Sequence, residues 1–215
     1  EVVCTISNSL YLGSNNGGIW SYTFANNATI NNCYYLNPCG KAQGTQVTEK
    51  QLKNGYVTKL LQADRTDACY WAQQLGEMPS LFNGNTWAVN RIYYDTIDQR
   101  WECNELNTSD YLSVGMDFYA LRTRFNRTIK ANKPYTVTLP CEWSNSTDKV
   151  YVLSSVNKAK GMASFSQVEN NVNGEFHSFE AYKPYLVVPT NNLSYIGGSN
   201  KCLVYAEPDT PVAED

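Results

Sequence analysis

A single histidine, His177, sets the first limit on the chemistry open to this 215-residue chain. A hydrolytic triad needs a base beside its nucleophile, and no Gly-x-Ser-x-Gly elbow surrounds any serine. His177 itself sits in "GEFHSFE", a strand-like stretch in which an ordinary strand histidine is all that is required. A cysteine nucleophile needs a cationic neighbour to hold it as thiolate, and only Cys202 has an adjacent lysine, Lys201. The seven cysteines at 4, 33, 39, 69, 103, 141 and 202 contain no Cys-x-x-Cys pair. With one histidine they complete no zinc site, so no metal and no cofactor are expected. Glycoside cleavage uses paired carboxylates, and none of the 20 acidic residues stands in an aromatic-flanked motif that singles it out. Asp95, Asp98 and Glu102 lie near Tyr93, Tyr94 and Trp101, and a hairpin turn explains that grouping. "NNGG" and "IGGSN" lack the lysine and helix of a phosphate loop and read as turns. The chain is not read as an enzyme.

Binding chemistry is better represented. Aromatic residues reach 13%, with 16 Tyr and five Trp. Flat rings on a β scaffold either stack on sugars and partner surfaces or fill cores. Trp20, Trp87 and Trp101, with Tyr93 and Tyr94, form the candidate ligand-binding set. Arg122, Arg124 and Arg127, followed by Lys130 and Lys133, form the sole basic run. It suits a solvated strand face, or an anionic partner such as an acidic glycan. The net charge of −3 is spread evenly along the chain and excludes nucleic acid, which demands a strong basic excess. No apolar run approaches the ~20 residues that span a bilayer. Residues 1–20 lack the basic start and apolar block of a secretory signal, so an exported protein would be represented here by a mature form or fragment.

Charged residues make up only 17% of the chain, against roughly 25% in an average soluble domain. Hydroxyls and amides supply the missing polarity, a lean towards an all-β protein facing the outside of a cell. Five Asn-x-Ser/Thr triplets carry no weight, because 24 Asn and 33 Ser plus Thr generate about four by chance. An odd cysteine count leaves at least one thiol unpaired, and the sequence does not choose among disulfide pairings.

The elements that must position these side chains fall into two parts, 1–108 and 109–215. Residues 1–36 alternate short β-rich pieces with Asn/Gly turns, which suits hairpins or the rungs of a solenoid. A helical segment is expected over about 48–76, opened by the capping box Thr48-Glu-Lys-Gln51 and interrupted by Asn54-Gly55. Arg91–Tyr94 against Gln99–Glu102 across a four-residue turn reads as a hairpin. Beyond 109 a sandwich-like antiparallel β domain is expected, closing in an acidic tail. Within it, Tyr119, Leu121, Thr123 and Phe125 alternate with Ala120, Arg122 and Arg124 as one half-buried strand with arginines outward.

A phrase recurs in that second part: "IKANKPYTVTLP" over 129–140 and "FEAYKPYLVVPT" over 179–190. In both, proline stands just before a strand, where it costs no ladder hydrogen bond and biases the preceding lysine towards extended geometry. Tyr and Val two residues apart then face one core. Two equivalent strands are expected, in facing sheets.

These segments, with "KVYVLSSV" and "MASFSQV" between them, resemble a β module found in surface proteins of gut Bacteroidota. Leu139-Pro140, Val150–Leu153 and Ala181–Val187 occupy that module's places. The first part resembles the end of the β-solenoid (GLUG-like) arrays that precede such modules. Asn32–Leu36, then Leu52, Gly55, Val57, Leu60 and Leu61, then Trp71, Gln73, Leu75 and Gly76, then Pro79 and Leu81 match in order. Cys141-Glu142 departs from the pattern, which has an apolar aromatic after the Leu-Pro. The resemblance implies export, extracellular or outer-surface display, and adhesion or scaffolding towards a host or microbial surface protein or glycan. A carbohydrate-binding module is the alternative. It transfers no catalytic residue.

Overall fold

The computed structural model describes residues 4–13, 18, 20–108, 112–145, 148–172, 175–198 and 200–208. Among the described residues the chain is mainly β with two short helices, and it forms two compact units, Glu1–Asn104 with Leu112–Met116 and Glu105–Tyr111 with Asp117–Asp215. The acidic tail beyond 208 lies outside the described residues.

The first unit opens with β1 (Cys4–Ser7), β2 (Leu10–Tyr11), β3 (Ala28–Asn31), β4 (Tyr34–Tyr35) and β5 (Thr45–Gln46). Every ladder here is parallel: Cys4 pairs with Ala28, Leu10 with Tyr34, and Tyr34 in turn with Thr45. Strands stacked in register one above another are rungs, and the hairpin option falls away. The corners explain the register. Asn8 and Asn32 both take left-handed backbone (φ 49 and 50), which asparagine tolerates better than most side chains. The Asn32 side-chain amide donates to Asn8 Oδ1 at 2.6 Å, a two-step asparagine ladder. Around these corners the chain repeats itself: "TISNSLYL" over 5–12 and "TINNCYYL" over 29–36. The unlike residues between the copies hide this period from a reading that looks for alternation alone.

Two helices cover the last rung. α1 (Glu49–Lys53) carries the expected capping box, with Thr48 Oγ1 accepting from the Gln51 N–H and Gln51 Oε1 from the Thr48 N–H. Gly55, at φ 94, turns the chain into α2 (Tyr56–Gln62). That angle favours glycine, and a Cβ there would also stand 2.8 Å from Ile92 Cδ1, which would have to shift. Leu52, Val57 and Leu61 pack on Tyr34 and Val47 as one core cluster. The helical segment is shorter than its expected span: it ends at Gln62, and Trp71–Gln74 is strand β6. The reason is Gln62 itself. Its amide group donates to the carbonyls of Arg65 and Ala68 and accepts from the N–H groups of Tyr70 and Trp71, folding the chain back as an extended segment.

β6 joins β7 (Ser80–Leu81), β8 (Arg91–Asp95) and β9 (Arg100–Cys103) in an antiparallel order β7-β6-β8-β9. β8 and β9 form the expected hairpin, with Asp95 opposite Arg100 and Asp95 Oδ1 accepting from the N–H groups of Ile97 and Asp98 in the turn.

The second unit contains β10 (Leu106–Thr108), β11 (Phe118–Ala120), β12 (Thr123–Ile129), β13 (Tyr135–Val137), β14 (Trp143–Ser144), β15 (Lys149–Asn157), β16 (Met162–Val168), β17 (Asn171–Val172), β18 (Glu175–Phe176), β19 (Ser178–Phe179), β20 (Tyr185–Val188), β21 (Leu193–Gly198) and β22 (Cys202–Val204). They gather in small, mostly antiparallel sheets: β10-β12-β21, β13-β20-β15-β16, and the pairs β11-β22, β14-β19 and β17-β18. One pair departs from the pattern, β10 running parallel to β12.

The single arginine-bearing strand expected across 119–125 is in fact two. Phe118 and Ala120 are buried in β11, whereas Thr123 and Phe125 are buried in β12. Leu121 and Arg122 take up the change of phase as the chain leaves the pairing with β22 for the pairings with β10 and β21. An alternating pattern names two faces and is silent on where the chain changes sheet.

The duplicated phrase proves to be one device used twice. Its strands, β13 and β20, do not lie in facing sheets but are antiparallel neighbours in a single sheet, with Tyr135 opposite Val187 and Val137 opposite Tyr185. Each tyrosine oxygen accepts from the amide five residues upstream, Lys130 N–H at 3.1 Å and Glu180 N–H at 3.2 Å. Asn132 and Tyr182 each turn at left-handed φ (57 and 58). The Asn132 N–H donates to Pro189 O, and the Tyr182 N–H to Leu139 O, the fourth residue after the opposite tyrosine in both cases. The two segments are thus related by a local twofold axis and hold one another's ends.

Candidate functional site

Trp87 is 82% exposed on the connection between β7 and β8, second among the candidates to Trp20. An aromatic ring held in water is uncompensated by packing, so its position depends on what pins the loop. Two successive asparagine turns do so: Asn83 Oδ1 accepts from the Asn85 N–H at 3.2 Å and Asn85 Oδ1 from the Trp87 N–H at 3.0 Å. Asn104 Nδ2 donates to Thr86 O at 2.7 Å, tying the loop to the end of β9. The Tyr93 hydroxyl lies within hydrogen-bonding range of Asn104 Oδ1 at 3.2 Å, and its ring stacks on Phe82. Leu81 and Val89, flanking the loop, are also exposed. The result is a preorganised apolar tip on a β framework.

Tyr93 and Trp101 therefore have roles other than those their types suggested. Both are buried, Trp101 meeting Tyr94 edge-to-face at 5.8 Å, and neither offers a ring to a ligand. With Tyr94 opposite Trp101 and Tyr93 opposite Glu102, the two rings point to opposite faces of the hairpin, and each face is covered. Tyr94 is half-buried, and Trp20, 85% exposed, belongs to a separate turn in the N-terminal rungs. The set is not one platform; Trp87 and Trp20 stand apart on different elements. Glu102, one of the weighed carboxylates, is buried and held by Arg100, whose Nε and Nη2 donate to Glu102 Oε1 at 2.8 and 2.6 Å.

Burial, followed by the nearby Glu102 and Asp95 carboxylates, pushes the Tyr93 hydroxyl up to about 12. A free tyrosine ionises near 10, so the folded state keeps a proton that the unfolded chain gives up. The associated stability is complete below about pH 10 and is lost as pH rises through about 12, an amount of roughly 2–3 kcal/mol. Urea unfolding of the wild type should weaken over that interval by about this margin more than Tyr93→Phe does. Equal slopes for the two proteins would contradict it.

In the second unit, Arg122 and Arg124 are exposed, and Arg124 lies over the Tyr195 ring at 4.9 Å. Arg127 is half-buried on the other parity of β12, with Nη1 donating to Asn126 O, so the three do not form one basic face. A bulge in the β12–β21 ladder lies between Asn126 and Ile129.

A cleft of about 500 Å³, which no sequence motif announced, opens in this unit beside β21 and β14. Trp143, Tyr195, Asn145, Asp148 and Asn192 line it. The buried Trp143 indole N–H lacks a hydrogen-bond partner among the described residues. Polar amides beside aromatic rings can hold a polyhydroxylated ligand. Asp148 is already engaged: its Oδ1 accepts from Thr190 N–H and its Oδ2 from the Asn145 amide.

All seven cysteines are thiols. Cys141 and Cys202 share a hydrogen bond that raises Cys141, burial adding to the rise, and lowers Cys202 against the opposing effect of burial, so Cys202 is the first of the pair to ionise. His177 packs its ring against Phe179 at 5.0 Å. Among the described residues no helix is long and apolar enough to cross a membrane. Comparison with protein-family models, with characterised proteins and with solved structures returns no match.

Proposed function

We propose that this chain is a non-catalytic adhesion and scaffolding module of an exported or surface-displayed protein of a gut bacterium of the Bacteroidota. It binds a host or microbial surface protein or glycan. The observation that carries the reading is Trp87, a large apolar ring held in solvent by four named hydrogen bonds around its loop. Preorganised aromatic tips lose little conformational freedom on binding and recur at the centres of contact surfaces. The stacked rungs with their repeated "TI-x-N-x-x-Y-L" corner support the scaffold half of the reading, since repeats of this kind stack into rigid spacers.

The second reading, a carbohydrate-binding module, is favoured by the cleft lined by Trp143 and Tyr195. One experiment separates the two. The purified chain is screened against surface-protein and glycan panels alongside Trp87→Ala and Tyr195→Ala. Adhesion through the loop predicts a loss of about tenfold or more for Trp87→Ala. Its stability should stay within about 0.5 kcal/mol of wild type, because an exposed ring contributes little to folding. Glycan binding lost only in Tyr195→Ala would move the function to the cleft, and turnover of a peptide, ester or glycan would overturn both readings.

A further inference from the structure

Among the described residues β16 is an edge strand, paired with β15 on one side only in the order β13-β20-β15-β16. Edges of this kind template further strands, and proteins usually blunt them with lysine, proline or inward charges. The opposite edge has such protection, with Lys133-Pro134 opening β13. β16 has none: its seven residues, "MASFSQV", carry no charge and no proline. The β15–β16 hairpin also leaves large apolar side chains in water, with Met162 61%, Leu153 48% and Phe165 45% exposed.

Phe165 is the central residue of β16 and has a serine on each side. Antiparallel pairing with a second β16 centred there places Phe165 opposite Phe165, Ser164 opposite Ser166, Ala163 opposite Gln167 and Met162 opposite Val168. Leu153 already faces Phe165 across the hairpin. The twofold therefore aligns Leu153, Phe165 and their two counterparts in one apolar row on a single sheet face. Charges fall into place at both ends. Glu169 meets the second copy's Gly161, beside its Lys160, so two opposite-charge contacts form and no like charges face each other. Any other residue of the strand taken as centre sets Phe165 against Ala159, Gly161, Ala163, Gln167, Glu169 or Asn171, none of them a large apolar side chain.

We propose that β16 docks on β16 of a second copy of this chain, antiparallel and centred on Phe165, joining two four-stranded sheets into one of eight strands. The contact is main-chain pairing, with side chains setting the register.

Sedimentation equilibrium of the full chain over a wide concentration range tests this, with circular dichroism confirming that each variant is folded. The wild type should form a dimer and no larger species through this edge. Phe165→Lys, which sets two lysines face to face, should raise the dissociation constant by about tenfold or more. Lys160→Glu and Glu169→Lys should each weaken the dimer several-fold, and the double variant should recover it, because both exchanged pairs lie between copies. A monomer at every concentration, a dimer indifferent to Phe165→Lys, or a double variant no better than its parents would each overturn the proposal.

Discussion

Replacing Gln73 by alanine should remove about 3–5 kcal/mol from the stability of the first unit, the largest loss expected from any single polar residue here. Gln73 lies in β6 with no exposed surface, and its side chain connects three elements. Nε2 donates to Leu52 O at 2.7 Å and to Glu77 O at 2.5 Å. Oε1 accepts from the Thr58 hydroxyl at 2.5 Å, and Thr58 is itself fully buried. Leu52 is in α1, and its carbonyl is one of those a helix end leaves without an intrahelical partner. Truncation strands two carbonyls and a hydroxyl away from water, each worth about 1–3 kcal/mol, and opens a void besides. Gln73→Leu keeps most of the volume, so it should recover the cavity part and leave a loss of about 2–4 kcal/mol. Adding Thr58→Val to Gln73→Leu removes one stranded hydroxyl and should recover about 1 kcal/mol. Urea denaturation followed by tryptophan fluorescence measures all three. A Gln73→Ala protein within about 1 kcal/mol of wild type would show that this hub does not hold α1, α2 and β6 together.

The second large effect distinguishes the two copies of the duplicated phrase. Tyr185→Ala should cost about 3–5 kcal/mol, and Tyr135→Ala about 1–2 kcal/mol, although both make the same hydrogen bond to the amide five residues upstream. Burial separates them. Tyr185 is 3% exposed and packs its ring edge-on against Phe179 at 5.1 Å and Trp143 at 5.8 Å, whereas Tyr135 is half-buried. Phenylalanine at either position retains the ring and leaves one backbone N–H without its acceptor. Both Phe variants should therefore lose about 1 kcal/mol, with the larger share at 185, where water cannot replace the oxygen. Thermal melting of the four variants provides the check. Equal losses for the two alanine variants would mean that the hydrogen bond, and not ring burial, sets the energy of this motif.

Several features of this protein follow from local chemistry and are readable in the chain as written. Thr48 and Gln51 close a capping box because hydroxyl and amide reach each other across one helical turn. Asp95 accepts the turn amides that make the β8–β9 hairpin. Lys-Pro-Tyr starts a strand in both of its occurrences, because proline's fixed φ and missing N–H suit only that point of a sheet. The mainly β class follows from the same turn-rich spacing. The 24-residue period of the N-terminal rungs was also present in the letters, at Asn8 and Asn32, yet alternation is the wrong instrument for a repeat whose intervening residues do not match.

What tertiary structure alone decided is which neighbour each strand has. Parallel pairing of β1 with β3 joins residues far apart in sequence. The division of 118–129 into β11 and β12 depends on where β22, β10 and β21 arrive. The same holds for the candidate site: Trp87 and Trp101 are the same residue type, but one is 82% exposed and the other 9%. Phe82, Tyr93 and Asn104 support the loop of the first, while Tyr94, opposite the second across the hairpin, packs edge-on against it. A side chain's identity settles what contact it can make, and only the arrival of distant strands settles whether protein or solvent makes it.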